Sequence, residues 1–313
     1  MLATGLVAAL AVAGLAGCAG SDVRTETRAG VSNAPGGNAD RLAAAALETW
    51  GARADHAQAL ALADRAAAAA PDRADLAWLQ VGLCLASPGC DPAAAEARLR
   101  KLDPANGVPW LDVLARAQAQ RDERAVSSIL EAMSRAERFD LYWTTLVWRL
   151  TGVIAASRPA AGAAAQSLNL QQNTPLTTAL NDVTGWLSRL ATRAFSSVTS
   201  ACDPRRSPST ASSPDCTRIA EALQRSDTTL AEGLGLGIAQ RLATPGTAAA
   251  SALDQRVVTL SYRSQTAGAV MQSQIERDKF AAEVLELMRQ LPREQDVSVA
   301  ILRWAGEPLT PTG

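Results

Sequence analysis

From Asn38 onward, apolar residues recur at helical spacing, and Pro, Gly and Asp interrupt them at intervals that suit separate helices. The interruptions include Pro71-Asp72, Pro88-Gly89, Pro104-Ala105-Asn106-Gly107 and Arg121-Asp122. No segment sustains the period-two alternation of a half-buried strand. The pattern therefore predicts an all-α protein. Asn38 and Asp40 suit a helix start. Leu141 to Ala156 is strongly apolar but contains Arg149 and is too short to span a bilayer, so it predicts a buried helix. Further on, Leu176 to Ala201 predicts one helix carrying Trp186 and Phe195, followed by helices over Thr217–Ser226 and Thr228–Ala243. A long or broken helix covers Thr247–Leu291, with an apolar stripe at Phe280, Val284, Leu287, Met288 and Leu291. Asp296–Trp304 predicts a last short helix.

Two stretches depart from this pattern. Ala19 to Gly37 is polar and closes on Pro35-Gly36-Gly37, the composition of a flexible tether with a reach of about 25 Å. Arg158 to Thr174 passes from an Ala-rich run into Asn169-Leu170-Gln171-Gln172-Asn173 and reads as a linker. The expected organisation is a leader at 1–17, a tether at 18–37, helical repeats at 38–157, a linker at 158–174 and a second helical region at 175–313.

The leader is an uncharged run of Leu, Val, Ala, Gly and one Thr from Leu2 to Gly17. A spanning helix needs about 20 apolar residues, so this run fits the apolar region of an export signal instead. No Lys or Arg precedes it, which departs from the usual positive start. Leu15-Ala16-Gly17-Cys18 resembles the lipobox of bacterial lipoproteins. That resemblance implies cleavage before Cys18, a diacylglyceryl thioether on the Cys18 sulfur, and often acylation of the new amine. Several acyl chains on one residue anchor a protein firmly, whereas one alone does not. In that family Asp directly after the cysteine marks inner-membrane retention. Ala19 stands there, so the resemblance implies the periplasmic face of the outer membrane, with the inner membrane as the alternative.

Trp78, Trp110 and Trp143 recur at spacings of 32 and 33 residues. Trp78-x-x-Val81-Gly82-x-x-Leu85 resembles the opening of a tetratricopeptide repeat, and Ala94 falls where that family has a small residue. The later units keep apolar Val113, Leu114, Leu146, Val147 and Leu150 but have Leu114 and Val147 where the family has Gly. The likeness covers Asp75 to Ser157 and implies antiparallel helix pairs stacked into a solenoid, with the tryptophans wedged between pairs. A ligand-binding aromatic stripe is the alternative role for these rings.

With 48% hydrophobic residues the chain can bury a large core, and its net charge of −1 lacks the basic excess that a nucleic-acid partner requires. Four cysteines follow Cys18, and composition alone leaves three pairings open. The local pairing joins Cys84 to Cys90 around Ser87-Pro88-Gly89, and Cys202 to Cys216. An oxidising periplasm permits both bridges. The spacings are not the short Cys-x-x-Cys of a zinc site.

Candidate chemistry is sparse. His56 is the one histidine, so a His-based metal site or relay would depend on it wholly; between Asp55 and Ala57 it reads as a solvent-facing helix terminus. Gly233-Leu234-Gly235-Leu236-Gly237 lacks the third glycine of the dinucleotide fingerprint, where Ile238 stands, and no strand precedes it. Close helix contact or a kink is the expected role. Glu276, Asp278, Glu283 and Glu286 alternate with Arg277, Lys279 and Arg289, as on a solvated helix face. Arg205-Arg206 could meet an anionic partner such as a lipid head group or wall polymer; a solvated loop is the plainer reading. No catalytic residue, cofactor or metal ligand is expected. The functional expectation is a lipid-anchored, non-enzymatic scaffold that binds a periplasmic protein partner. The alternative is an envelope enzyme acting on the cell wall or glycans through a site the sequence does not disclose.

Overall fold

The computed structural model describes residues 36–158, 174–192, 195–211, 214–274 and 279–311. Cys18 with its lipobox, most of the tether and linker, and Glu276, Arg277 and Asp278 lie outside the described residues.

Among the described residues the regular elements are helical, as the spacing of apolar positions predicts. The chain runs through α1 (Asn38–Arg53), α2 (His56–Ala69), α3 (Ala74–Leu85), α4 (Ala93–Leu102), a 3-10 turn (Val108–Trp110), α5 (Leu111–Ala119), α6 (Glu123–Met133) and α7 (Trp143–Ser157). It continues through α8 (Pro175–Ala191), α9 (Ser196–Ala201), α10 (Pro208–Ala211), α11 (Pro214–Gln224), α12 (Thr229–Leu242), α13 (Ala248–Gln274), α14 (Phe280–Gln290) and α15 (Glu294–Ala305). Local chemistry sets many of the ends. The Asp55, Asp122, Thr174 and Thr228 side chains accept from backbone N–H groups in the first turns of α2, α6, α8 and α12. Ala54 and Gly306 close α1 and α15 in the left-handed conformation.

Successive helices pack as neighbours, α1 on α2, α2 on α3, α3 on α4 and α5 on α6. The succession then turns back on itself. α7 lies against α1, α8 against α7 and α1, and α14 against α7 and α8. One hydrophobic cluster consequently runs from Ala39 to Leu302 through both halves of the chain. The three tryptophans do not share one position in a repeat. Trp78 lies inside α3, Trp110 ends the 3-10 turn and Trp143 opens α7. Trp78 and Trp143 are buried and Trp110 is half-buried against the same cluster, so these rings serve the core.

Two local expectations, on Leu176–Ala201 and on His56, are corrected. Leu176–Ala201 is two helices, because Phe195 is buried and the Ser197 hydroxyl donates to the Leu111 carbonyl (2.8 Å), which packs α9 on α5 instead of extending α8. Of the two alternatives for Thr247–Leu291, the broken helix is the one found, as α13 and α14, with α14 packed on α7 and α8. His56 opens α2 as expected but is half-buried, with its Nδ1 out of contact with solvent. The Gly233–Gly237 run has the packing role anticipated for it. A Cβ at Gly235 would stand 2.6 Å from the Ala220 carbonyl oxygen and 2.8 Å from the Leu223 Cβ, so glycine lets α12 press against α11. No helix of the described residues is long and apolar enough to cross a membrane.

Both cysteine pairs are local. Cys84 and Cys90 are bridged with their Cα atoms 5.3 Å apart, and Gly89 (φ +77°) supplies the positive φ that the intervening turn needs. Cys202 and Cys216 are bridged with Cα atoms 5.5 Å apart, and both are fully buried.

Candidate functional site

A six-residue pattern that the tryptophan spacing only partly exposed occurs twice: Arg73-x-Asp75-Leu76-x-Trp78 and Arg138-x-Asp140-Leu141-x-Trp143. Each copy builds a buried ionic hub. In the first, Arg73 pairs with Asp75 and reaches back to Asp40 in the first turn of α1, while Arg149 of α7 donates to the other Asp40 oxygen at 3.1 Å. Asp40 is 2% exposed. Burial opposes the charge on Arg73, but Asp75 and Asp40 more than offset it and hold the guanidinium above its ordinary pKa.

In the second hub, Arg138 donates to both Asp103 oxygens (2.7 and 2.9 Å) and to Asp140 (2.7 Å). The Tyr142 hydroxyl donates to Asp103 at 2.7 Å. Asn106 joins two loops: its amide donates to the Asp140 carbonyl (2.9 Å), and its oxygen accepts from the Val108 and Asp140 amides (both 3.1 Å). The turn between α11 and α12 completes the cluster. The Asp227 carboxylate accepts from the amides of Leu141 (2.8 Å) and Trp143 (2.9 Å), while the Asp227 amide donates to Asp140 (3.1 Å). The Ser226 hydroxyl accepts from the Phe139 amide (2.7 Å). Behind it, Glu294 accepts from the Thr229 amide (2.7 Å) and donates its own amide to the Asp227 carbonyl (2.8 Å).

This second hub is rich in acid. Burial, then the Asp140 charge, push the Asp227 carboxyl well above the usual carboxylate range, and the Leu141 and Trp143 amides only partly oppose them. Glu294 is also raised, by burial. Raised carboxyl groups mark catalytic sites when they face a cleft. Here Asp140 and Asp227 are 7% and 5% exposed and bind backbone amides across the interior, an arrangement that orders loops.

An open cleft lies at the other end of the same helices. A cleft of about 830 Å³ separates the α5–α6 turn from the Cys202–Cys216 loop. Gln118, Arg121, Ser127, Ser200, Arg206 and Ser209 are among its lining residues. Arg121 has a positive φ of 56°, and its amide donates to the Gln118 carbonyl (3.0 Å). Across the cleft, the Arg206 amide donates to the Asp203 carbonyl (3.0 Å), and the Arg205 amide donates to the Asp203 side chain (2.9 Å). The Cys202–Cys216 bridge closes this loop. The Gln118 side chain donates to the Ser197 carbonyl (3.0 Å) and ties one wall to the other. Arg121 and Arg206 are exposed and form no ion pair with another described residue.

Sequence reasoning singled out Arg206 but missed Arg121, which reaches the cleft only because its turn folds left-handed. Of the acidic run, Glu286 is exposed and pairs with Arg289, and Glu283 is half-buried. Among the described residues, no group of three or more His, Cys, Asp or Glu is arranged to hold a metal ion.

Comparison with known proteins names no relative. No family model, no curated protein and no solved structure matches this chain.

Proposed function

We propose that this chain is an exported lipoprotein, anchored through Cys18 to the periplasmic face of the outer membrane, whose helical body is a scaffold for a periplasmic protein. The observation that carries the reading is the cleft: a large, open, mixed polar and apolar surface between two helix turns, with one wall closed by a disulfide. The two bridges fit an oxidising compartment. The short apolar leader ending in Leu15-Ala16-Gly17-Cys18 supports the anchor. A walled cleft on a rigid body favours binding a partner segment with little reorganisation.

The test has two parts. Cys18→Ser expressed in a bacterium should leave the membrane fraction, whereas the native chain stays in it. Affinity purification of the native, detergent-solubilised chain should return one protein in stoichiometric amount. A Cys18→Ser chain that remains membrane-bound removes the anchor. Wall fragments released by the purified chain, without any copurifying protein, remove the scaffold.

A further inference from the structure

We propose, building on the Cys18 anchor, that the groove between α1 and α7 seats an acyl chain of that same anchor when no bilayer is present. The groove has a volume of about 630 Å³ and lies where α1 and α7 pack on each other. Its walls are Ala44 and Ala45 from α1 and Val153, Ile154 and Ala156 from α7. Small side chains on both helices leave the space open. At Gly152, on the α7 wall, a Cβ would meet nothing within 4 Å.

The polar groups at the rim are already engaged. Arg41 donates to the Gly36 carbonyl, Glu48 faces Arg158 at 3.7 Å, and the Ser157 hydroxyl donates to the Ile154 carbonyl (2.8 Å). The walls therefore offer apolar contact and few hydrogen bonds. That suits an alkyl chain better than a peptide, whose backbone amides and carbonyls would lose water without replacement. The course of the chain argues for the source of that alkyl group. Gly36, the first described residue, lines the groove, and Cys18 precedes it by eighteen positions. A polar chain of that length reaches roughly 25 Å, so a lipid on Cys18 can return to the place where the tether joins the body. Between the two residues only Val23 and Val31 are large and apolar, so the tether itself has little to bury there. On the anchor reading, cleavage before Cys18 removes the apolar leader. Each methylene withdrawn from water favours the seated state, and a bilayer, which covers the whole acyl chain, competes with the groove.

The test grows the producing bacterium on a diazirine fatty acid, so that the full-length chain carries a photoactivatable lipid on Cys18. The purified chain is irradiated in detergent-free buffer, and its crosslinked peptides are mapped by mass spectrometry. Adducts should concentrate on residues 41–48 and 152–157 of the same molecule, and phosphatidylethanolamine vesicles added before irradiation should remove them. Gly152→Leu fills the groove without a clash and replaces a helix-interior glycine with a good helix former. It displaces two methylenes or more and should cut the adducts about tenfold. Gly237→Leu, on α12, where a Cβ also meets nothing within 4 Å, should change them less than about twofold. A lipidated native chain without adducts on α1 and α7 overturns the proposal and leaves the anchor standing. So do adducts unchanged by vesicles or by Gly152→Leu, and adducts formed only between copies. A Cys18 found without lipid overturns this inference and the anchor together.

Discussion

The hubs around Arg73 and Arg138 grow from the same Arg-x-Asp-Leu-x-Trp spacing, yet they settle their buried charge in different ways. Around Arg73, two guanidinium groups face two carboxylates, Arg73 and Arg149 against Asp75 and Asp40. Around Arg138, one guanidinium faces Asp103 and Asp140, while Asp227 and Glu294 lie close behind. Isolated buried charge is costly, so each cluster must be neutralised. The first does it by pairing guanidinium groups with carboxylates. The second does it with backbone amides, while burial raises the Asp227 and Glu294 carboxyls above the usual carboxylate range. A repeated sequence motif thus specifies where a polar hub forms, while residues far along the chain decide how it responds to pH.

Four changes would break or sharpen this contrast, in order of expected size. Asp40→Asn strips Arg149 and Arg73 of their shared buried partner and should cost about 3–5 kcal/mol in urea unfolding, the range for breaking a buried pair. Gly107→Ala, in the second hub's loop, would drive a Cβ into the Phe139 ring and should cost about 1–3 kcal/mol. Tyr142→Phe removes the hydroxyl that bridges Asp103 and Asn106 and should cost about 1 kcal/mol. Asp227→Asn should cost about 1 kcal/mol or less at pH 5, because a neutral isostere keeps an acceptor for the Leu141 or Trp143 amide. If Asp40→Asn proved as mild as Asp227→Asn, the distinction between an ion-paired hub and an acid-rich one held by backbone amides would be lost.

The pH dependence follows from the same asymmetry. A carboxyl whose folded pKa is raised binds its proton more tightly in the folded chain than in the unfolded one, so stability is highest at acid pH and falls as pH rises through the raised value. Asp227 and Glu294 are both raised. Thermal melts should therefore show the native chain losing stability from pH 5 to pH 8, with Asp227→Asn flattening that slope. A native chain that gained stability over this interval would contradict the raised Asp227 and Glu294 carboxyls.

Much of the fold was readable from residue order. The breaks at Pro71, Pro88, Pro104 and Arg121 fall between helices, the buried helix predicted at 141–156 is α7, and both local cysteine pairs formed. The break after α8 was not readable, because tertiary contacts from Phe195 and Ser197 decide it, and over Thr247–Leu291 the pattern left a long helix and a broken one both open. The hubs escaped notice for a similar reason. The motif residues are local, but Asp227 stands 87 positions from Asp140 and Arg149 stands 109 from Asp40, separations that no periodicity reveals. Arg206 was visible as part of a charged loop. Arg121 looked like a helix break, and only the folded turn brings it across the cleft from Arg206.

Helices α6 and α11 join these regions. Both start at the cleft, through Glu123 and Asp215, and both lead into the second hub, through Arg138 and Asp227. The hub fixes the far ends of the helices that frame the opening, and the Cys202–Cys216 bridge fixes the near end. The most direct test of the account is to place a photo-crosslinking amino acid at Ser209 in the full chain, irradiate intact cells and identify the adduct by mass spectrometry. The account predicts a single covalent protein adduct, and none when the same probe replaces Arg303. An adduct to glycan, or identical adducts from both positions, would contradict it.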